Sequence, residues 1–230
     1  MITPKLFLKF LSKKFTGNGF AMSKNLNNIK QIPKCLEKGL DFFEIDIQLC
    51  KDGLVVFHDY TLESKGVDKK ILDLTVSELG VYNILSIDDL FKILKNHNNL
   101  HIILDVKGYN ERIIGILYKK LIEYNNTSNT TFYIQSFNHY IIDLLKKFLG
   151  NHKKSIKYGY LISGFMNIYW DVYTKNIDYV CIDNEFVFKY LDKLDKPIYL
   201  YNCNSVNQLN CSIEYIEGII TDFPDNFKKD

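Results

Sequence analysis

Eight short apolar segments recur along the chain, separated by stretches with the 3.6-residue spacing of helices. Strands that alternate with helices form a parallel sheet, and eight is the number that closes a barrel. We therefore predict an α/β fold, a TIM (β/α)8 barrel, made by residues 1–230 as one domain. The open doubly wound sheet is the alternative, but Ser23–Leu26 holds no G-x-G-x-x-G pattern. The predicted strands are Phe20–Met22, Phe42–Ile47, Ile102–Val106, Phe132–Gln135, Lys157–Ile162, Tyr179–Ile182, Ile198–Tyr201 and Gly218–Thr221.

The predicted helices lie between these strands. Ser86 is typical of a helix N-cap, because its hydroxyl can accept a hydrogen bond from a backbone N–H of the first turn. Asp88 and Asp89 in that turn interact favourably with the positive end of the helix dipole. The other segments with helical spacing are Ile29–Lys38, Glu111–Tyr124, Tyr140–Phe148 and Phe186–Leu194.

One segment, Ile45–Asp59, breaks the alternation, because Lys51-Asp52-Gly53 between two strand-like runs indicates a β-hairpin at the C-terminal mouth of the barrel. A three-residue loop, with Gly53 at positive φ, would set Asp46 opposite His58 and on the same face. A two-residue Asp-Gly turn would shift the register by one and point His58 away from Asp46. The place of His58 therefore depends on the type of turn.

Charge and cysteine content exclude several classes of protein. Lys and Arg exceed Asp and Glu by 29 − 27 = 2, so there is no electrostatic reason to expect a nucleic-acid partner. No run reaches the roughly 18 apolar residues that span a bilayer. The five cysteines show no C-x-x-C spacing, which indicates reduced thiols in a cytoplasmic protein rather than disulfides or a zinc site.

The first fifteen residues, MITPKLFLKFLSKKF, interleave lysines with leucines and phenylalanines. The lysines make this segment a poor signal peptide. Two interpretations remain open. Residues 1–15 form a helix that closes one end of the domain, or a basic amphipathic helix that makes a peripheral contact with an anionic membrane.

Polar residues at the predicted strand ends point to phosphate chemistry. In a parallel barrel these ends converge on one mouth. Glu44, Asp46 and Asp105 would repel each other there unless a cation lay between them, and oxygen ligands favour Mg²⁺ or Ca²⁺. Such a cation, with Lys107 to neutralise charge and His58 to move a proton, suits an anionic phosphate ester.

These motifs resemble the glycerophosphodiester phosphodiesterase family, whose hairpin reads roughly E-x-D-V-x-x-T-K-D-G-x-x-V-x-x-H-D. Glu44–Asp59 follows that pattern nearly position by position. The resemblance extends from about residue 20 to 228 through Leu104–Lys107, Gln135–Phe137, Tyr201–Asn204 and the closing Gly218–Pro224. It implies a TIM barrel that hydrolyses a small glycerophosphodiester. It also implies that Glu44, Asp46 and Asp105 bind a divalent metal, that His58 is an acid–base group and that Lys107 contacts the phosphate.

The chain departs from the family at its first strand. The family ends that strand with H-R-G, where the histidine is a second acid–base group and the arginine holds phosphate. Here the segment Phe20–Asn25 has no histidine, and Lys24 is the residue that could replace the arginine. His97, His101 and His139 lie elsewhere in the predicted fold. We therefore expect weak or altered hydrolysis; the alternative is a catalytically inactive relative that binds a phosphate-bearing ligand or a protein partner.

Overall fold

The computed structural model describes residues 20–21, 33, 36–37, 42–97, 99–125, 129–149, 155–164 and 170–227. The strands are β1 (Phe20–Ala21), β2 (Phe42–Leu49), β3 (Leu54–Val56), β4 (Leu85–Ser86), β5 (His101–Val106), β6 (Thr131–Ser136), β7 (Ile156–Ile162), β8 (Tyr179–Asp183), β9 (Ile198–Tyr201) and β10 (Gly218–Ile220). The α-helices are α1 (Val76–Gly80), α2 (Ile87–Leu94), α3 (Arg112–Asn125), α4 (His139–Leu149) and α5 (Trp170–Tyr173).

Within the described residues, ten strands form one sheet in the order β1-β10-β9-β8-β7-β6-β5-β2-β3-β4. The eight from β1 to β2 in this order pair in parallel, whereas β3 and β4 join by antiparallel pairing. Cα atoms of β1 approach those of β2 within 8 Å, so the parallel strands curve into a barrel. The predicted TIM-barrel fold is confirmed, and the eight predicted strands are its parallel strands.

The helices α2, α3 and α4 lie where the spacing predicts them. Ser86 caps α2, since its Oγ accepts from the Asp89 backbone N–H at 3.1 Å. The prediction of a helix over Phe186–Leu194 was wrong, because only Val187–Lys189 form a 3-10 turn. Tyr190 is fully buried there, with its ring packed edge-on against Trp170, and this tertiary contact overrides the local spacing.

Two other predictions fall outside the described residues: the segment 1–15 and most of the helix Ile29–Lys38. Lys24, proposed as a phosphate contact, lies outside them as well. None of the helices in the described part of the chain has an apolar stretch long enough to cross a membrane.

The hairpin between β2 and β3 has a different register from the one that a three-residue loop would give. Leu49 pairs with Leu54, so four residues separate the paired strands instead of the predicted three, and the Cys50 N–H donates to the Gly53 carbonyl at 2.9 Å. Gly53 is not among the residues at positive φ; instead, a Cβ there would lie 3.1 Å from Val76 Cγ2. Distant contacts fix the turn, because Asp52 Oδ1 accepts from the Val76 backbone N–H at 2.8 Å.

The barrel interior has an aromatic floor below the C-terminal mouth. Phe42, Tyr133, Tyr179 and Tyr199 pack there with ring centroids 5.2–6.1 Å apart. Residues two positions further along each strand continue on the same interior face, so Glu44 follows Phe42. The floor therefore separates the interior polar groups near the mouth from the opposite end of the barrel.

Gly159 makes room for this floor. A Cβ at Gly159 would lie 2.3 Å from the ring of Tyr179, which pairs with it across β7 and β8. We expect Gly159→Ala to destabilise the protein by about 1–3 kcal/mol, because the ring has to shift within a packed interior. Gly115→Ala in α3 is the control, since a Cβ there meets nothing within 4 Å. Urea unfolding measures both variants, and equal stability of the two would contradict this account of the floor.

Candidate active site

Three predicted metal ligands meet at the C-terminal side of the barrel interior. Glu44 and Asp46 lie on β2 with the alternation that puts both on one face, and the parallel register sets Asp46 beside Asp105 of β5. All three residues are buried, at 2–4% exposure. Each offers a carboxylate oxygen, and these oxygens lie within 4.8 Å of one another. The structure thus brings together the three carboxylates that the sequence predicts.

Lys107 balances part of this charge. Its Nζ lies 2.9 Å from Asp46 Oδ1 and 2.6 Å from Asp105 Oδ2, and its side chain is only 11% exposed. Burial lowers the pKa of Lys107, but Asp105 and Asp46 outweigh it and raise the pKa above its ordinary value. The ammonium group therefore stays charged over the whole physiological range.

One lysine does not compensate three buried carboxylates. Burial, reinforced by Asp46 and Asp105, raises the pKa of Glu44 well above its ordinary value, although Lys107 opposes the shift. Burial also raises the pKa of Asp105 to about 6, against the lowering influence of Lys107. Asp105 therefore binds its proton more tightly in the folded state than in the unfolded state. Its contribution to the free energy of unfolding is fully present below the pKa of the unfolded state and is lost as pH rises through about 6.

Two carboxylate oxygens of the cluster indicate whether a cation fits between its members. Glu44 Oε2 and Asp105 Oδ1 are buried without a hydrogen-bond partner. An orphaned buried acceptor costs about 1–3 kcal/mol, and more when it is charged. Oxygens that share one Mg²⁺ or Ca²⁺ lie up to about 4–5 Å apart, which matches the spacing of the cluster. The residues therefore fit a hard divalent cation.

His58 borders the same cavity from the hairpin side. Asp46 is opposite Phe57 rather than His58, as shown by the Phe57 N–H that donates to the Asp46 carbonyl at 3.2 Å. The ladder of β3 nevertheless ends at Val56, so the strand alternation does not decide the direction of His58. Neither the three-residue loop nor the two-residue Asp-Gly turn considered from the sequence occurs, and the segment after β3 brings His58 to the cavity.

Gln48 and Asp59 support His58, and sequence reasoning gave neither this role. Gln48 Nε2 donates to the carbonyls of Phe57 and Asp59, both at 2.8 Å, and so holds the segment that carries the histidine. Asp59 Oδ1 lies 2.8 Å from His58 Nδ1, and this hydrogen bond lowers the pKa of Asp59. The signal for Gln48 was present, because Glu44, Asp46 and Gln48 alternate along one strand.

The cavity above the carboxylates has a volume of about 290 Å³. Its far wall comes from the ends of β9 and β10, where Asn204 Oδ1 accepts from Thr221 Oγ1 at 3.0 Å. Phe137 and Tyr201 form an aromatic edge with their ring centroids 6.2 Å apart. Asp222 adds a further carboxylate to the lining. The mixture of charged, amide and aromatic groups suits a small polar anion with a carbon skeleton.

Two of the histidines set aside in the sequence are engaged elsewhere. His101 starts β5, and its Nδ1 lies 3.4 Å from the Tyr133 hydroxyl. His139 stacks on Tyr160 at 4.1 Å between ring centroids and lies 2.8 Å from the Leu161 carbonyl. Within the described part of the chain, His58 is thus the histidine that lines the cavity.

Comparisons with known proteins agree with this architecture. The model of the glycerophosphoryl diester phosphodiesterase family matches residues 18–226. A glycerophosphodiester phosphodiesterase of Caldanaerobacter subterraneus subsp. tengcongensis is 26% identical over 226 residues, covering 88% of this chain and 91% of that protein. The structure of an Oleispira antarctica phosphodiesterase in complex with the product sn-glycerol-3-phosphate matches with a TM-score of 0.73 at 17% identity. The match covers 90% of this chain and 94% of that one.

The carboxylate cluster predicts an unusual response to substitution. In EDTA at pH 7.5, we expect Glu44→Gln to stabilise the protein by about 0.5–2 kcal/mol, because an amide of the same shape replaces the carboxyl group whose ionisation the buried cluster opposes. The native protein should lose more stability than this variant as pH rises through about 6. The variant should also respond less to added Mg²⁺ or Ca²⁺.

Urea unfolding at pH 5 and pH 7.5, with EDTA or with millimolar cation, measures these effects. Glu185→Gln is the matched control, because it removes an exposed carboxylate from a loop outside the cavity. A Glu44→Gln variant that is less stable in EDTA and equally responsive to cations would contradict the cluster as a cation site.

Proposed function

Because the chain belongs to the glycerophosphoryl diester phosphodiesterase family, we propose that it hydrolyses a small glycerophosphodiester with the help of a divalent cation. The observation that supports this most is the buried triad of Glu44, Asp46 and Asp105, with two unpartnered oxygens, in one cavity with Lys107 and His58. The Oleispira relative holds sn-glycerol-3-phosphate, which contains the phosphate and glycerol that this cavity would take.

In the proposed site, Glu44, Asp46 and Asp105 hold Mg²⁺ or Ca²⁺ through their oxygens. When bound, such an ion polarises phosphate oxygens and neutralises charge that develops in the transition state. Lys107 donates to a phosphate oxygen, since its raised pKa keeps it protonated. Lys24 is a second candidate for phosphate binding, although it lies outside the described residues.

His58 is the proposed acid–base residue. In hydrolysis, the oxygen of water bonds to phosphorus and releases a proton to solvent, the ester P–O bond breaks, and the imidazolium gives its proton to the leaving alkoxide. The imidazole then takes up a proton from solvent. In a lyase-like variant of the same step, an internal hydroxyl of the substrate replaces water and closes a cyclic phosphate. Asp59 Oδ1 accepts from Nδ1 and so orients the ring.

The first strand argues for slow turnover. The segment Phe20–Asn25 has no histidine, and one positioned acid or base contributes about 10²–10⁴-fold in rate. Substrates with a good leaving group, or with their own nucleophile, are affected least. The same observation favours the second candidate, an inactive relative that binds a phosphate-bearing ligand or a protein partner.

We expect His58→Ala to lower kcat/KM for glycerophosphocholine by about 10²–10⁴-fold, while the cation still binds because the three carboxylates remain. Turnover of glycerophosphocholine and bis(p-nitrophenyl) phosphate with Mg²⁺ and with Ca²⁺ measures the loss. Calorimetric titration with the cation measures the retained binding. His97→Ala is the control, since it removes a histidine that does not line the cavity.

The two candidates give different results in this assay. Equal activity of His58→Ala and the native protein would remove His58 from the reaction. The absence of native turnover with either metal, despite ligand binding, would favour the inactive relative.

We further propose that the protein acts in the cytoplasm and reaches lipid through residues 1–15. Cys50, Cys181, Cys203 and Cys211 are free, which is consistent with a reducing compartment. We expect the full chain to co-sediment with vesicles that contain an anionic lipid, and a chain that lacks residues 1–15 to remain in the supernatant, because basic amphipathic helices bind such surfaces. Neutral vesicles are the control, and equal pelleting of both chains would contradict the membrane contact.

A further inference from the structure

A second cavity lies beside the active site and shares one residue with it. Its volume is about 210 Å³, and Lys107 lines both cavities. One wall comes from the segment that follows His58, through Tyr60 and Leu72. The opposite wall comes from the loop after β5, through Tyr109. We call this cavity the side cleft.

Large apolar side chains line the side cleft and are exposed to solvent. Tyr60 is 56% exposed, Leu72 43% and Tyr109 82%, and they come from two separate segments of the chain. Isolated exposed apolar residues are ordinary, but a cluster that lines a cavity marks a binding site. The charged lining residues of the cleft, Lys70 and Lys107, are both cationic. An apolar wall beside cations suits an anion that carries a hydrocarbon group.

Hydrogen bonds hold both walls in place. In the first, the Leu62 N–H donates to the Lys69 carbonyl at 2.8 Å, and the Ile71 N–H donates to the Tyr60 carbonyl at 3.0 Å. In the second, Gly108 takes φ +92°, a conformation that favours glycine, and its carbonyl accepts from Asn138 Nδ2 at 3.3 Å. Because both walls are already ordered, binding of a ligand in the cleft requires little free energy for ordering the protein.

We propose that the side cleft receives the hydrocarbon chain of an amphiphilic phosphodiester, such as a monoacyl glycerophosphodiester, whose phosphate lies at Lys107. This inference rests on the proposed function, because it takes the active-site cavity as the place of the phosphate. Lys107 lines both cavities, so a phosphate held at its ammonium group would lie at the border of the side cleft, within reach of a chain that enters the cleft. The cleft would then decide which alcohol substituents the enzyme prefers.

Binding of n-alkyl phosphates tests the cleft without requiring turnover. We expect the Kd in the presence of Mg²⁺ to fall from ethyl to octyl phosphate, by up to about fourfold for each methylene that the cleft buries. Leu72→Gln and Tyr109→Ser should reduce the ratio of the two Kd values by at least about tenfold together, since they remove apolar wall. Val172→Gln is the control, because it changes an equally apolar but remote residue that is 74% exposed.

Calorimetry below the micellar concentration measures each Kd, and circular dichroism verifies that every variant is folded. A native protein whose affinity does not depend on chain length overturns the inference. A dependence that persists unchanged in both cleft variants also overturns it, because the chain then binds elsewhere. Failure of the proposed function looks different: glycerophosphocholine is not hydrolysed, whatever the chain-length series shows.

Discussion

The crowding of carboxylates on β2 and β5 is the constraint on which this site depends. Parallel pairing sets Asp46 beside Asp105, and the alternation of β2 adds Glu44 on the same face. In a buried environment this arrangement is unfavourable, and Lys107 compensates only part of it, as the raised pKa values of Glu44 and Asp105 show. A fold selected for stability alone would replace these charges with apolar groups. Their presence, with two orphaned oxygens, is therefore best explained by a function.

The strand β2 organises more than the carboxylates. It continues past the end of the parallel pairing, where Gln48 reaches the backbone at Phe57 and Asp59 and so positions the segment that carries His58. One alternating strand thus supplies two candidate ligands and the anchor of the candidate acid–base residue. The antiparallel β3 and β4 then extend the sheet beyond the barrel and place the 60–72 segment beside the mouth.

Sequence patterns could predict the parts of this molecule that repeat or that follow from strand geometry. The eight barrel strands have a clear apolar pattern, and Glu44, Asp46 and Asp105 converge because parallel strands end at one mouth. The hairpin register could not be predicted, because Asp52 is fixed by its contact with Val76, far along the chain. The side cleft could not be predicted either, since its walls come from loops whose sequences have no periodic pattern.

The proposed side cleft bears on the histidine that the first strand lacks. An enzyme can raise its rate with binding free energy from parts of a substrate that do not react, provided that this energy orients the reacting groups. Correct orientation can contribute as much as several kcal/mol, which is comparable to the contribution of one acid–base group. A chain held in the cleft would fix the phosphate against Lys107 and His58 at the moment of reaction. In this view, a site with a single histidine favours substrates that fill both cavities, and small diesters that leave the cleft empty, such as glycerophosphocholine, are hydrolysed more slowly.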